Sequence, residues 1–456
     1  MIAPPRARGR NVTVRVKPRR AALRHIRMKD AKHITNELRA AGLAVAALAL
    51  GGCGSAAPQP PPPPPPVIAH GVALREPLAD PRPYGAADTA FGLDALGAWC
   101  QADPRANLVL SPSSLASGLG MAYLGARGGT AQAMAAVLHL PAAGRPALEA
   151  GLQARSAALR GLDSPGVTVS ASDQVWADPS LITLPSYLNA VATAYDAGVA
   201  RVPLLSSPDR AIAEIDQAIA AATRGQIPQL LAPGSLVDIG WVLTDALYLH
   251  AAWAAPFSAN ETNPAQFTTA SGQQVTAQFM NGGPYNTVTE DGWTAVWLPY
   301  RGGKLAMVAL LPPAGAAACA LPAATALGRV TAALAAGSPA VVSRSIALPR
   351  VNLTVNVSMK TLLTQLGMGV AFTSSADFTG LSPQACCIGL VEQADTLRVG
   401  EQGTTASAAT AVGIVGSAAQ LGPPPVTFDR PYLMLVTDTA TGEPLFLARV
   451  TNPTAP

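Results

Sequence analysis

Histidine and cysteine, the residues that most often carry nucleophilic catalysis or bind metals, are scarce after residue 52. Three histidines remain in that part of the chain: His70, His139 and His250. The sequence contains no Gly-x-Ser-x-Gly turn, His-Glu-x-x-His helix, Walker-type phosphate loop or Gly-x-Gly-x-x-Gly loop. A Ser–His hydrolase built on His250 remains open, but no motif supports it. We therefore expect the protein not to be an enzyme.

The five cysteines do not suggest a metal site. Apart from Cys53, they are Cys100, Cys319, Cys386 and Cys387. No pair has the Cys-x-x-Cys spacing, and the other spacings do not suit zinc. The adjacent Cys386 and Cys387 leave a strained vicinal disulfide open, although free or buried thiols are the expectation. We predict no metal and no cofactor.

An unusual segment runs from Glu401 to Leu421 and reads EQGTTASAATAVGIVGSAAQL. After Gln402 it is uncharged and consists mainly of small residues, and Gly422 and three prolines follow it. By composition alone it would be an Ala/Gly linker. However, it lies between two strand-like segments of one domain, where long structureless loops are usually functional. It is therefore the best candidate for a functional segment.

The positive charge of the chain is concentrated at its N-terminus. Residues 1–52 contain 12 Lys or Arg and two Asp or Glu, whereas residues 53–456 contain 19 basic and 25 acidic side chains. The main part of the protein is mildly acidic, which argues against a nucleic-acid partner. Residues 40–50 form an uncharged run rich in Ala and Leu, too short to span a membrane. This run predicts the core of a signal peptide.

The signal peptide ends in a motif that predicts lipidation. Residues 50–53 read LGGC and resemble the lipobox of bacterial lipoproteins. The resemblance implies that residues 1–52 are removed, with Met1 or Met28 as the start, and that Cys53 carries lipid. Two or three acyl chains would hold the protein at a membrane. We expect an exported bacterial lipoprotein anchored at the periplasm or cell surface, with release into the medium, or secretion without lipid, as alternatives.

A proline-rich tether is predicted over residues 53–75. Seven prolines, Pro60–Pro66, follow Pro58 and Gln59 and favour the polyproline II conformation. Nine such residues would form a stiff spacer of roughly 28 Å. We predict that the spacer holds a single folded domain, residues 76–456, off the membrane surface.

The folded domain has the element pattern of an α+β protein. Helices are predicted mainly early and strands mainly late, without the alternation of a doubly wound sheet. The predicted helices are Ala86–Gln101, Ser113–Leu124, Thr130–Leu138, Pro208–Thr223 and Met359–Leu366. The predicted strands are Val242–Leu249, Ala295–Leu298, Ala306–Leu311, Ser345–Leu348, Asn352–Val357, Leu433–Val436 and Leu445–Val450.

Short motifs spread over most of this domain resemble those of the serpin family. They are NLVLSPSS (107–114), LGARGGT (124–130), TRGQI (223–227), ALYLHAAWAAPF (246–257), FDRPY (428–432) and FLARVTNP (446–453). Residues 401–410, EQGTTASAAT, are similar to the hinge of inhibitory serpins. The resemblance implies a monomer with the serpin fold: early helices, three β-sheets and a mobile, exposed reactive-centre loop at residues 401–425.

The resemblance also implies a single-use inhibitor of serine proteases. A protease cleaves the loop, forms an acyl-enzyme and stays covalently attached while the N-terminal part of the loop inserts into the large sheet. Strand alternation would turn small, uncharged side chains inward, which favours inhibition over the alternative of a non-inhibitory serpin-fold surface binding protein. The hinge residues implied are Glu401, Gly403, Thr404, Ala406, Ala408 and Thr410, with Val412 as the next inward residue.

A polar cluster is implied beneath the centre of the large sheet. It comprises Ser111, Ser114, Asp245 and Gln393, and Trp253 would cover the point where the hinge enters. Asp245 and Gln393 depart from the asparagine and histidine that are usual in the family. An Asp–Gln hydrogen bond would hold the cluster together. A buried carboxylate there predicts that opening of the sheet depends on pH.

The bond cleaved by the protease has more than one candidate. Counting from the hinge places it at Ser417–Ala418, whereas counting back from Phe428 places it at Gln420–Leu421, and Ala419 lies between. The difference arises because the loop is three residues longer than is typical. None of these residues is charged, which disfavours trypsin-like proteases. Elastase-like or subtilisin-like targets are therefore expected.

Overall fold

The computed structural model describes residues 66–74, 77, 79–404 and 424–455. Within them, eight α-helices surround the sheets, and proline at the first turn starts several of these helices. The helices are α1 (Arg82–Ala102), α2 (Pro112–Gly125), α3 (Gly128–Val137), α4 (Arg145–Arg160), α5 (Pro185–Tyr195), α6 (Pro208–Ala222), α7 (Ala324–Ala336) and α8 (Lys360–Leu363). No helix in the described part of the chain is long and apolar enough to cross a membrane.

The strands of the described residues are numbered in chain order. They are β1 (Val67–Ala69), β2 (Leu108–Leu110), β3 (Val167–Ala171), β4 (Gln174–Ala177), β5 (Val199–Arg201), β6 (Trp241–Ala252), β7 (Thr262–Thr268), β8 (Gln274–Glu290), β9 (Trp293–Pro299), β10 (Leu305–Leu311), β11 (Val342–Pro349), β12 (Val351–Ser358), β13 (Val391–Gly400), β14 (Gly403–Thr404), β15 (Val426–Thr427), β16 (Tyr432–Asp438) and β17 (Pro444–Val450).

The strands form one eight-stranded and one nine-stranded sheet. The eight-stranded sheet has the order β1-β5-β4-β6-β14-β13-β12, with β3 also paired to β6. The nine-stranded sheet has the order β15-β11-β8-β9-β10-β16-β17-β2, with β7 paired to β8. Strands β10, β16 and β17 are buried at every residue and are mostly apolar, because both faces of this sheet are covered.

The mixed helix-and-sheet architecture expected from the sequence is confirmed, with two differences of detail. The three expected sheets appear as two hydrogen-bonded networks, because β8 pairs with β7 in its first half and with β9 in its second. Helix α7 lies among the late strands, and α4 and α5 were not predicted. In α5 and α7 many of the apolar residues are alanines, which give a weak helical pattern, whereas α4 has a clear amphipathic pattern that the sequence reading missed.

The folded body begins earlier than the predicted residue 76. Strand β1 pairs with β5 at the edge of the eight-stranded sheet, with Val67 opposite Arg201. Further on, the Val72 amide donates to Asn189 Oδ1 and the Leu74 amide to Thr193 Oγ1. Because these backbone groups find partners on the body, residues 66–74 belong to it and not to the tether.

A disulfide joins Cys100 at the end of α1 to Cys319 in the segment before α7. The sequence did not predict it, since residues 219 positions apart give no local signal. Cys386 and Cys387 are free thiols, as expected, and Cys386 is exposed. Disulfides form and persist mainly in oxidising environments.

We expect loss of this disulfide to destabilise the native protein. Closing so long a loop reduces the entropy of the unfolded chain, and native disulfides typically contribute about 2–4 kcal/mol. The Cys100→Ser and Cys319→Ser variants should therefore unfold at lower denaturant concentration, measured by tryptophan fluorescence. Cys386→Ser is the control and should unfold like the parent. Equal midpoints for all the proteins would contradict the prediction.

Candidate functional site

The start of the candidate loop is already a strand of the eight-stranded sheet. Gly403 and Thr404 form β14, which lies between β6 and the end of β13. Thr404 stands opposite Ala251 on one side and Val399 on the other, and its side chain is completely buried. The Thr404 hydroxyl forms a hydrogen bond with the Tyr300 hydroxyl. The sheet is thus parted at this end by two residues of the loop.

The position of Gly403 tolerates no side chain. Its φ is 148°, in the region that favours glycine, and a Cβ atom would lie 2.0 Å from the carbonyl oxygen of Ala251. A larger residue would therefore push β14 out of the sheet. The absence of a side chain at Gly403 therefore allows the backbone to turn from β13 into the gap beside β6.

Trp253 closes this end of the sheet. Its indole Nε1 donates to the carbonyl of Gly400 at 2.9 Å, and its backbone amide donates to the carbonyl of Gln402 at 3.0 Å. The ring stacks on Tyr300 at 4.5 Å between centroids, and it is buried. The structure therefore places Trp253 directly against the turn that leads into the hinge, where the sequence predicted it.

Glu401 is held by two side chains at the same turn. Its carboxylate accepts hydrogen bonds from the Arg350 guanidinium and from Thr262 Oγ1. Partial burial opposes ionisation, but these hydrogen bonds outweigh it and lower the pKa of Glu401. Neither Arg350 nor Thr262 was identified from the sequence. Glu401 is thus fixed to the first residue of β7 and to the residue between β11 and β12.

The predicted polar cluster is assembled near the middle of β6 and β13. Gln393 stands opposite Asp245 in the parallel pairing of the two strands, and its amide donates to the Ser111 carbonyl at 3.3 Å. Ser114 Oγ contacts Asp245 Oδ1. Among the described residues, neither Gln393 Oε1 nor Asp245 Oδ2 has a hydrogen-bond partner. The expected Asp–Gln hydrogen bond is therefore absent there, although the four residues are brought together.

Two further carboxyl groups lie in this cluster and were missed at the sequence level. Asp173 Oδ1 lies 2.7 Å from Ser114 Oγ, and Asp395 lies two residues beyond Gln393 on the same face of β13. A serine hydroxyl has one hydrogen, so it cannot donate to Asp173 and Asp245 at once. At least one of these acids must be protonated to make both contacts favourable.

Burial accounts for that protonation. It raises the pKa of Asp173 to about 6 and that of Asp395 to about 8. The pKa of Asp245 is raised well above its usual value, first by burial and then by the neighbouring charges of Asp173 and Asp395. Among the described residues, neither carboxyl oxygen of Asp395 has a hydrogen-bond partner. Burial without such a partner favours the protonated form of this side chain.

A buried ion-pair network lies beside the cluster. Arg155 of α4 forms two salt bridges, with Asp88 of α1 at 2.6 Å and with Glu443, in the turn before β17, at 2.8 Å. It also donates a hydrogen bond to Ser117 Oγ at 2.8 Å. The charge of this guanidinium lowers the pKa of Asp173 and of Asp245, but burial raises both pKa values by more.

Several predicted site residues lie outside the described part of the chain. They are Cys53 and the loop residues Ala406, Ala408, Thr410, Val412, Ser417, Ala418, Ala419, Gln420 and Leu421. The described chain resumes at Pro424, whose carbonyl accepts hydrogen bonds from Arg344 at the end of the nine-stranded sheet. The two ends of the loop are therefore fixed, one in each sheet.

Comparison with known proteins identifies the family. A family model described as "Serpin (serine protease inhibitor)" matches residues 86–453. The chain belongs to the serpin family. Its relatives include the leukocyte elastase inhibitor of Bos taurus, 28% identical over 383 residues, which cover 81% of this chain and 99% of that protein. An uncharacterized serpin-like protein of Thermococcus kodakarensis is 29% identical over 357 residues, 76% of this chain and 81% of that one.

Solved structures support the same fold. The thermophilic serpin tengpin in its native state has a TM-score of 0.72, with 22% identity, 85% of this chain and 100% of that chain covered. Human kallistatin has a TM-score of 0.71, with 23% identity, 83% of this chain and 100% of that chain covered. In this serpin, β6 and β13 flank β14 at one end, and they pair directly with each other where Asp245 stands opposite Gln393 in the polar cluster.

Proposed function

We propose that this serpin inhibits serine proteases by suicide-substrate trapping. The observation that carries the proposal is β14, which already lies between β6 and β13 with Thr404 fully buried. The residues that follow it in sequence, up to Val412, are uncharged and mostly small. Each could continue the new strand without burying a charge. A non-inhibitory binding protein would have no need of these properties.

The insertion would convert a local cut into a large movement. After cleavage at Ser417–Ala418, the segment from Gly403 to Ser417 would extend for about 46 Å, at roughly 3.3 Å per residue. The inserted strand would gain hydrogen bonds to β6 and β13 along its length, so the cleaved form would be more stable than the native form. The acylated protease would be carried by the same distance, and its catalytic groups would be distorted.

The target class is inferred from the candidate residues at the cleavage site. Ser417, Ala418 and Ala419 are small, and Gln420 is uncharged, so a protease with a small or undemanding specificity pocket fits best. Several relatives are named leukocyte elastase inhibitors, which agrees with this choice. We infer that the targets are elastase-like or subtilisin-like proteases. We also infer that the serpin is a monomer and that each molecule reacts with one protease molecule.

We also propose that the mature protein begins at a lipidated Cys53 and is exported. The LGGC motif, the preceding apolar run and the disulfide between Cys100 and Cys319 support this proposal. Mass spectrometry of the N-terminal peptide from membrane fractions would test it. A free thiol on Cys53, or a peptide that continues before it, would contradict lipidation.

The inhibitor proposal is tested by mixing the protein with elastase and, separately, with subtilisin. We expect a covalent complex that survives denaturing electrophoresis, at the summed mass of the protease and the cleaved inhibitor. Mass spectrometry of the released C-terminal peptide locates the cut between residues 413 and 421. A protease inactivated at its catalytic serine is the matched control and should form no complex. Complete cleavage without any complex would contradict inhibition.

A further inference from the structure

A cavity of about 330 Å³ lies at one end of the nine-stranded sheet, and we name it the end cavity. Its walls come from the start of β9 and β16, the end of β17, the turn between β7 and β8, and the segment 312–320 that follows β10. Register brings these strand ends together, because Leu433 stands opposite both Leu310 and Arg449. The end cavity is therefore built from parts of the chain that lie far apart in sequence.

The segment 312–320 forms one wall of the end cavity with small side chains. It reads PPAGAAACA, and the disulfide ties it to α1. The Pro312 carbonyl accepts a hydrogen bond from Arg430 Nη2 at 2.9 Å. The Ala318 carbonyl accepts one from Arg449 Nη2 at 2.6 Å. These attachments hold the segment in place, while its alanines and glycine are too small to fill the space beside it.

Of the described residues that line the end cavity, two are arginines and none is acidic. Arg449 is 3% exposed, and its other hydrogen bond also goes to a backbone carbonyl, that of Pro104, at 3.0 Å. Burial lowers the pKa of Arg449, and the charge of Asp103 opposes this shift only in part. Because neutral carbonyl groups do not balance a buried positive charge, the end cavity should attract an anion.

Arg430 is the more accessible of the two arginines. Its side chain is 37% exposed, and its contact with Asp429 Oδ1 is long, at 3.4 Å. Among the described residues, the guanidinium has two partners, this carboxylate and the Pro312 carbonyl. A guanidinium carries five N–H donors, so Arg430 has donors left for a ligand. The anion that best matches its planar geometry is a carboxylate, which accepts two parallel hydrogen bonds.

The other walls of the end cavity suit a flat apolar group. They include Trp293, Pro312, Pro313 and several alanines. Small-molecule sites are typically apolar with a few placed polar groups, and their volumes begin near 300 Å³. The end cavity is therefore large enough for a ligand of about ten non-hydrogen atoms. An aromatic ring fits best, since it can pack against the indole of Trp293.

We propose that the end cavity binds a small aromatic carboxylate, with its ring against Trp293 and the two prolines and its carboxylate on the Arg430 guanidinium. Arg449 lies deeper and adds a second positive charge. The site is separate from the proposed inhibition of proteases, because no residue of the hinge lines the end cavity. Failure of one proposal therefore leaves the other intact.

The proposal is tested by isothermal titration calorimetry of the purified protein at neutral pH and low salt. The ligands are phenylacetate and its uncharged counterpart, phenylacetamide. We expect phenylacetate to bind with a dissociation constant below about 1 mM. Phenylacetamide should bind at least about tenfold more weakly, because it cannot make the charged hydrogen bonds. Equal binding of the two compounds, or no binding of either, would overturn the proposal.

Substitutions of Arg430 locate the carboxylate. Arg430→Gln should weaken the binding of phenylacetate by at least about tenfold and leave that of phenylacetamide unchanged. Arg430→Lys keeps the charge and should lose less. Arg398→Gln is the matched control, because Arg398 is exposed, also donates to an uncharged oxygen, Asn352 Oδ1, and does not line the end cavity. An Arg430→Gln protein that binds phenylacetate as the parent does would contradict the proposed site.

A substitution of Trp293 locates the ring. Trp293→Leu should weaken the binding of phenylacetate and of phenylacetamide by the same factor, since both carry the same ring. Trp297→Leu, on the same strand but outside the end cavity, is the control and should bind both compounds like the parent. Equal binding by the parent and Trp293→Leu would show that the ring lies elsewhere. The comparison of the two compounds on the parent requires no variant, so it decides the proposal even where a variant does not fold.

Discussion

Thr404→Arg is expected to convert the protein from an inhibitor into a substrate. More than ten molecules of the variant should be cleaved for each protease molecule trapped, whereas the parent should approach one. The stoichiometry is measured by titrating a fixed amount of elastase and assaying its residual activity. On denaturing gels, cleaved variant should replace the covalent complex.

The structural reason lies in the surroundings of Thr404. Its side chain is completely buried, and its hydroxyl is bonded to Tyr300, whose ring is stacked on Trp253. A guanidinium at this position would have to be buried without a carboxylate partner, at a cost of several kcal/mol. The first step of insertion would then become slow. Because trapping is a race between insertion and hydrolysis of the acyl-enzyme, a slow step releases active protease.

Thr405→Arg is the matched control. It introduces the same charge at the next residue, which strand alternation turns to the opposite face of the sheet. This variant should keep a stoichiometry close to that of the parent. A Thr404→Arg protein that still traps elastase at the parental stoichiometry would contradict the proposed role of the hinge. Similar failure of both variants would show that the charge acts on the protease and not on insertion.

The hinge was predictable from sequence because its requirements are local. Gly403 must adopt a positive φ and approach Ala251 closely, and only glycine satisfies both conditions. Thr404 must be small and uncharged because it is buried. Each of these constraints restricts the residue type at a single position, so together they produce a pattern that can be recognised in the sequence. The turn's partners, Arg350 and Thr262, come from distant strands, and no spacing in the sequence relates them to Glu401.

The polar cluster was predictable only in part. Ser111, Ser114 and Asp245 were identified through motifs, and the structure brings them together. Asp173 belongs to the short turn between β3 and β4, and its contact with Ser114 spans 59 residues of sequence. Asp395 could have been found from its spacing, since it lies two residues after Gln393 and so shares its face of the strand. Strand pairing, which no local pattern encodes, decides which acids meet.

Conversion of the intact protein to a loop-inserted, inactive form is expected to accelerate as the pH rises from 5 to 9. Asp245 of β6 and Asp395 of β13 lie where these two strands pair, which we call the seam, and Asp173 lies beside it in the turn between β3 and β4. The surrounding titratable groups are Arg155, Asp88, Glu443 and Tyr195. Burial raises the pKa of Asp173 to about 6 and that of Asp395 to about 8. The native seam is therefore most stable when these acids are protonated, and this stability is lost as the pH rises through those values.

Insertion would relieve the repulsion that ionisation creates. Neighbouring strands lie about 4.8 Å apart, and a new strand between β6 and β13 would double the spacing of these two strands and so move Asp245 away from Asp395. Because the charges of Asp173 and Asp395 help to raise the pKa of Asp245, this pKa should be lower in the inserted form, which should release protons when it forms. For each proton released, the rate of conversion should rise by up to about tenfold per pH unit over the pH range in which the group titrates. We expect the rate at pH 9 to exceed that at pH 5 by at least about tenfold.

Asp395→Asn tests the assignment of this dependence to the seam. Asparagine keeps the shape of the protonated acid but cannot ionise, so the variant should convert more slowly than the parent above pH 8 and at a similar rate at pH 5. Conversion is followed at moderately raised temperature by loss of elastase inhibition and by the gain in thermal resistance of the product. The control is Asp238→Asn, which replaces an exposed acid in the loop before β6 and should retain the parental profile. If the conversion rate of the parent is the same from pH 4 to 9, the buried carboxylates do not govern the opening of the sheet. If the rate is independent of pH only in Asp395→Asn, the proton that controls opening lies on Asp395 of β13.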